Sequence, residues 1–152
     1  MAMNQKTKKP STPKTKRTIK TGEFLAIGRR KTSVAKIIIK PISAKENKIL
    51  INGKTPDVYF PNKIIVQDME QPLTLLKEKI GSMEVDVKVE GGGFGGQAGA
   101  IRLAITNALV SYDKNLKGEL KAKKLTTRDR RVKERKKAGK YGARRSHQFV
   151  KR

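Results

Sequence analysis

Hydrophobic and polar positions alternate most strictly from Met83 to Glu90. Met83, Val85, Val87 and Val89 fall on one side, and Glu84, Asp86, Lys88 and Glu90 on the other. That pattern predicts a β-strand with one buried face. Beyond the glycines that follow, the period lengthens: Ile101, Ala104, Ile105, Ala108, Leu109 and Tyr112 repeat at helical spacing, with Arg102, Thr106 and Asn107 off the stripe. A helix packed on a sheet by one apolar face accounts for it. Upstream, FLAIG from Phe24 and KTSVAKIIIKP from Lys31 are rich in Ile and Val and predict strands, interrupted by the basic GRRK of residues 28–31. The second run crosses ISAKENK to KILIN, a strand–turn–strand. GKTPDVYFPN predicts a loop with a short turn of helix. KIIVQDM predicts a helix to about Glu70, broken before Pro72, whose ring and missing N–H disfavour a helix interior; PLTLLKEKI resumes it. Asp113 is placed to N-cap a shorter helix over DKNLKGELKAKK. After that the patterning stops, and LTTRDRRVKERKKAGKYGARRSHQFVKR has no apolar period with which to form a core.

Charge divides the chain in the same places. The formal net charge is +24 on 152 residues. Residues 1–20 hold seven Lys or Arg and no acid, and residues 114–152 hold 17 against Glu119, Asp129 and Glu134. The middle keeps 13 basic and 10 acidic residues, close to balance. Three segments are therefore expected: a basic N-terminal arm over 1–21, disordered by its low hydrophobicity and charge; an α+β domain over 22–125; and a basic tail over 126–152. A domain of this size can bury one modest core. An imbalance this large repels itself unless a polyanion neutralises it. No apolar run is long enough to span a bilayer, no signal peptide with a central apolar region is visible, and Trp is absent, so nucleic acid rather than a membrane is the expected partner. An organelle transit peptide is a rival reading of the arm, but the arm is Lys/Thr-rich and lacks an amphipathic period. The absence of Cys excludes disulfides, thiolate metal sites and thiol nucleophiles, and His147 is the sole histidine. No catalytic residue, metal ligand or cofactor is expected.

The stretch VEGGGFGGQAGA, residues 89–100, tests that expectation. Gly91, Gly93 and Gly96 have the spacing of a dinucleotide loop directly after a strand, with Gly92, Gly95 and Gly99 beside them. The ribose-binding carboxylate of such a site ends a second strand about twenty residues on. Asp113 has the distance but directly follows a helix, and the Gly-Lys-Ser/Thr of the other phosphate-cradling loop is missing. The glycines read first as a structural corner, where positive φ and close backbone approach need them. A helix N-terminus receiving an RNA phosphate is the second reading, and a nucleotide pocket a distant third.

In the tail, charges come in pairs and triplets around AGKYGA, residues 138–143, where Gly139 and Gly142 leave the backbone free to bend. Tyr141 and Phe149 interleave with the charge and suit unstacked bases; arginines can fork onto phosphates or stack. His147 reads as a stacking or polar residue. There is no apolar face for a membrane-surface helix. A nonspecific DNA-compacting polycation has the same composition as a tail threaded through folded RNA.

Five stretches together resemble one family. AIGRRKTSVAKI, INGK…DVYF, VEGGGFGGQAGAIRLAITNAL, LTTRDRRVKERKK and GARRSHQFVKR occur in the order found in the ninth protein of the bacterial-type small ribosomal subunit, and cover roughly residues 25–152. The resemblance implies a four-stranded sheet packed with helices, similar to the second domain of the fifth small-subunit protein. That fold has a left-handed β-α-β crossover, an exception to the usual hand. It also implies a long extended basic C-terminal tail, and a place in the subunit head on ribosomal RNA, beside neighbouring head proteins, in a bacterial cytoplasm or an organelle. With the charge clusters, it makes Arg29, Arg30, Lys31, Arg128, Arg130, Arg131, Arg135, Lys136, Lys137, Lys140, Tyr141, Arg144, Arg145, Gln148 and Phe149 the expected rRNA-binding residues. Lys151 and Arg152 are expected to approach the anticodon stem of tRNA in the peptidyl site. The glycine loop becomes a fold corner near RNA. Two positions depart from the family tail: His147 stands where Pro is common, and Val150 where Ser is. The arm over 1–21 lies outside the shared pattern.

Overall fold

A computed structural model describes residues 22–43 and 47–149. The elements run β1 (Phe24–Arg30), β2 (Ser33–Ile42), β3 (Lys48–Ile51), α1 (Pro56–Tyr59), α2 (Lys63–Ile80), β4 (Ser82–Glu90), α3 (Phe94–Tyr112), a 3-10 turn (Lys114–Leu116) and α4 (Lys117–Ala122). The fold is α+β. Its sheet is mixed, in the order β1-β2-β4-β3: β2 pairs antiparallel with β1 and β4, and β3 runs parallel to β4. The strand–turn–strand around residues 42–48 is therefore no hairpin, because β4 inserts between β2 and β3. The parallel pair is joined by the crossover through α1 and α2.

The alternation in β4 sets the layer. Met83, Val85, Val87 and Val89 are buried. Register places them beside Ala35, Ile37 and Ile39 of β2 and Ile49 and Ile51 of β3, all on the face that joins the helices in one core. α3 packs on β1 and β2 and also against α2. Its apolar stripe is buried from Ala98 to Leu109, while Tyr112 at its end is half-exposed and meets Phe24 edge-on at 5.3 Å. Asn52 extends the short β3: its side-chain amide donates to the Val89 carbonyl and accepts from the Val89 N–H, both at 3.1 Å.

Four local readings are corrected. The basic GRRK does not interrupt the first strands; Gly28, Arg29 and Arg30 belong to β1, and only Lys31 and Thr32 form the turn. α2 is continuous through Pro72, whose ring is buried between Met69 and Leu76 of the same helix face. Packing of both halves on one core outweighs the lost backbone bond, which tertiary burial commonly does to local propensity. Thr106 is fully buried rather than off the stripe, its hydroxyl satisfied by the Arg102 carbonyl one turn back at 2.9 Å. Asp113 does cap, accepting from the Asn115 N–H at 2.8 Å, but the element it opens is the 3-10 turn ahead of a shorter α4.

Candidate nucleic-acid interface

The glycine loop is packed against the β1–β2 turn. Gly91 and Gly92 hold φ of +72° and +67°, in the left-handed region that glycine adopts without penalty. A Cβ at Gly92 would lie 2.1 Å from the Ser33 hydroxyl, and one at Gly91 2.8 Å from the Thr32 carbonyl. Ser33 in turn donates to the Gly91 carbonyl at 3.0 Å. Gly96 also abuts the Ser33 hydroxyl, and Gly99 lies under the side chain of Arg30. Gly93 caps α3 without any close neighbour, and Gly95 is equally open. Four of the six glycines thus serve the contact of strand, turn and helix.

That contact places the basic hairpin. Arg30 lies along α3, its Nη1 donating to the Gly95 carbonyl at 3.5 Å and its Nη2 3.8 Å from the Asp129 carboxylate. Arg131 embraces the same carboxylate, its Nε 3.0 Å from Oδ1 and its Nη2 2.9 Å from Oδ2, while its backbone N–H adds a further bond at 3.0 Å. The Arg131 side chain, then its backbone N–H, then the charge of Arg30 hold the Asp129 carboxyl far below the usual carboxylate range. Residues far apart in sequence, 30 and 129–131, are thereby joined where chain leaves the domain. A cleft of about 160 Å³ opens there, lined by Arg29, Arg30, Arg102, Lys124 and Arg131 with Asp129. Arg102 is braced by an ion pair with Asp68. A neighbouring hollow of about 330 Å³ is lined by Arg29 and Arg128 together with Ile27 and Leu103.

Sequence reading did not mark Arg102 or Lys124. The only signal for Arg102 was its place off the apolar stripe of α3. Lys124 is one lysine among several until its backbone is seen.

Leu125 is the last buried residue among those described. From 126 to 149 the chain forms no helix or strand. Arg128, Arg130, Arg135, Lys136, Lys137, Arg144, Arg145, Gln148 and Phe149 are exposed there, and Lys140 is half-exposed. Glu134 draws two of these cations together, Lys137 at 2.8 Å and Arg144 at 3.0 Å, and they hold its carboxyl below its ordinary range. The Tyr141 N–H donates to the Arg145 carbonyl at 3.0 Å. His147 sits between two rings, its centroid 4.1 Å from Tyr141 and 6.4 Å from Phe149. The aromatic residues expected to interleave with charge are thus gathered on His147. Lys31 stands exposed at the hairpin tip with φ +52°. The N-terminal arm over 1–21, Val150, and the pair Lys151 and Arg152 lie outside the described residues.

A family model described as ribosomal protein S9/S16 matches residues 28–152. The small ribosomal subunit protein uS9 of Mycoplasma genitalium is 57% identical over 129 residues, 85% of this chain and 96% of that protein. The uS9 of Mycoplasma pneumoniae is 56% identical over the same shares, and that of Ureaplasma parvum 54% identical over 130 residues, 86% of this chain and 95% of its own.

Proposed function

The chain belongs to the ribosomal protein S9/S16 family, and on that premise we propose that it binds small-subunit rRNA in the subunit head and reaches the peptidyl-site tRNA with its C-terminal end. Membership makes it a structural constituent of the small ribosomal subunit and of the translation machinery, and not an enzyme. The curated relatives above are bacterial.

The distribution of cations supports the rRNA reading above any other observation. Cations recur through the hairpin, the cleft beside it and the stretch of chain from Arg128 to Arg145. Asp129 and Glu134, the acids of this stretch, are each engaged by cations of the chain. Phosphate neutralisation is the physical role such a stretch performs. The gathered rings of Tyr141, His147 and Phe149 supply faces on which an unstacked base can rest. On this reading the domain over 22–125 seats the protein, the segment over 126–152 runs extended through RNA, the arm over 1–21 adds basic charge, and neighbouring head proteins complete the surroundings. The crossover from β3 to β4 through α2 takes the left hand of the fifth small-subunit protein's second domain. The glycine loop acts as a corner beside RNA, without a cofactor.

At the chain end, Lys151 and Arg152 contact tRNA phosphates. A charge-assisted contact of this kind is worth on the order of 1.5–3 kcal/mol when well formed, about 10- to 150-fold in affinity. A chain ending at Val150, assembled into small subunits beside the full chain, is expected to assemble normally while tRNA affinity falls and its salt dependence flattens. Unchanged tRNA binding at several salt concentrations would refute the tRNA contact.

A further inference from the structure

We propose that the cleft where β1, α3, the end of α4 and residues 127–131 meet is a dedicated phosphate site, gripping one phosphodiester of the bound RNA, with Lys124 and Arg102 among its ligands. The inference rests on the RNA-binding reading and deepens it by naming a site.

Composition of the lining is the first ground. Five cations, Arg29, Arg30, Arg102, Lys124 and Arg131, surround about 160 Å³ of space. That is room for a hydrated oxyanion, since one water needs only about 10–15 Å³ of such volume. The single carboxylate of the lining, Asp129, is engaged chiefly by three N–H groups of Arg131. With Asp68 pairing Arg102 from outside the lining, five cations still stand against two carboxylates around a small gap, an excess that an anion relieves.

The second ground is Arg30. Gly99 gives it a seat: a Cβ there would lie 2.2 Å from the arginine Cδ and 2.5 Å from its Nη1. Held flat on the helix, the guanidinium nonetheless makes poor use of its donors. The Gly95 and Asp129 contacts are long, and Nε is buried without a partner. An arginine fixed in place by packing, with its terminal N–H groups left over, is prepared for a forked contact with an oxyanion.

Lys124 gives a third and independent ground. α4 ends in a Schellman arrangement: the Leu125 N–H donates to the Leu120 carbonyl at 3.0 Å, and the Lys124 N–H to the Lys121 carbonyl at 2.9 Å. Leu120 and Leu125 are both buried beneath it. The residue between them must take the left-handed conformation, and Lys124 does, at φ +57°. Glycine is the ordinary occupant of this position because it adopts that φ without strain. Among the described residues, only Lys31 and Asn52 share this conformation without being glycine. Asparagine tolerates it through its short side chain; lysine has no such excuse. A strained lysine whose side chain lines a cationic cleft points to work done by its ammonium group.

The strain makes the test sharp. Lys124→Gly relieves the backbone and removes only the side chain, so it is expected to fold at least as well as the parent, which thermal unfolding checks. Full-length protein and the variant are titrated with inorganic phosphate, following the amide signals of residues 99, 102 and 124–125. They are then titrated with a small-subunit rRNA fragment at several salt concentrations. In the parent, phosphate is expected to shift those signals and the RNA fragment to displace it. In Lys124→Gly, phosphate affinity is expected to fall about 5- to 10-fold, and the slope of log affinity against log salt for RNA to drop by roughly 0.7–0.9, one phosphate contact. Phosphate binding that RNA does not displace identifies a free-anion site and overturns the phosphodiester assignment. RNA binding that is equal in parent and variant at every salt concentration, with no phosphate shift at these residues, overturns the cleft while leaving the RNA-binding reading intact. A parent that takes phosphate there but fails to bind the RNA fragment overturns that reading instead.

Discussion

Gly28→Ala is expected to be among the most damaging single-methyl changes in the protein. The residue lies in β1 where the strand crosses α3. A Cβ at this position would lie 2.0 Å from the Ala100 carbonyl oxygen and 2.6 Å from the Ala104 nitrogen, both backbone atoms of the helix. Ordinary contact begins near 3.4 Å, so strand and helix must separate by roughly 1.4 Å. No rotamer change can absorb this, because the obstacle is backbone. Overpacking of a core costs about 1–3 kcal/mol, and a clash with backbone on the far side belongs at the top of that range. For a domain of this size each kcal/mol moves the unfolding temperature by about 4–8 °C, so about 3 kcal/mol lowers it by about 12–24 °C. Gly95→Ala is the control. A Cβ there meets nothing within 4 Å, the residue lies in the first turn of α3, and its φ is not left-handed. Exchanging glycine for alanine in a helix is worth about 0.5–1 kcal/mol in favour of alanine. Thermal unfolding of both variants by circular dichroism checks the pair. If Gly28→Ala melts within 3–4 °C of the parent, roughly the shift of a 0.5–1 kcal/mol change, the close packing of β1 on α3 is wrong. With it would go the seat of Arg29 and Arg30.

Asn52→Ala removes both bonds to Val89 and leaves alanine at φ +49°, so a loss of about 2–4 kcal/mol is expected in urea unfolding, with Asn52→Asp retaining part of it. Glu70 is a pH probe: burial first, and then the charge of Asp57, raise its pKa above 4.5. A raised carboxyl pKa means the folded state holds the proton more tightly, so ionisation destabilises the fold once pH rises past it. Glu70→Gln is therefore expected to be more stable than the parent at neutral pH. That advantage should shrink to nothing as pH falls below about 4.5, the ordinary value, and an advantage persisting at pH 3 would contradict the assignment.

The parts of the fold that were legible in the sequence are those where one residue type repeats against one buried face. Val85, Val87 and Val89 declare a strand, and Ala104, Ala108 and Leu109 declare a helix, because burial alone sets their spacing. Pro72 and Thr106 were misread for a common reason. Each breaks a local rule that the shared core of α2 and α3 overrides, the proline by burying its ring and the threonine by bonding back to Arg102. The basic hairpin and tail were visible as charge runs. The cleft between them was not, since its walls come from residues 29–30, 102, 124 and 131, and nothing in linear order brings these together. Lys124 shows the limit most clearly, because its distinction lies in a backbone angle rather than in its chemistry.

The central claim is that this chain is held in the small subunit by phosphate contacts from its cleft and C-terminal segment. Sedimentation of small subunits reconstituted with the full chain, or with a chain ending at Leu125, tests it most directly as salt is raised. The full chain is expected to remain with the particles to high salt, and the shortened chain to leave at much lower salt with a shallower dependence, since its phosphate contacts are fewer. Equal retention of the two chains, or a full chain that never sediments with the subunit, would contradict the account.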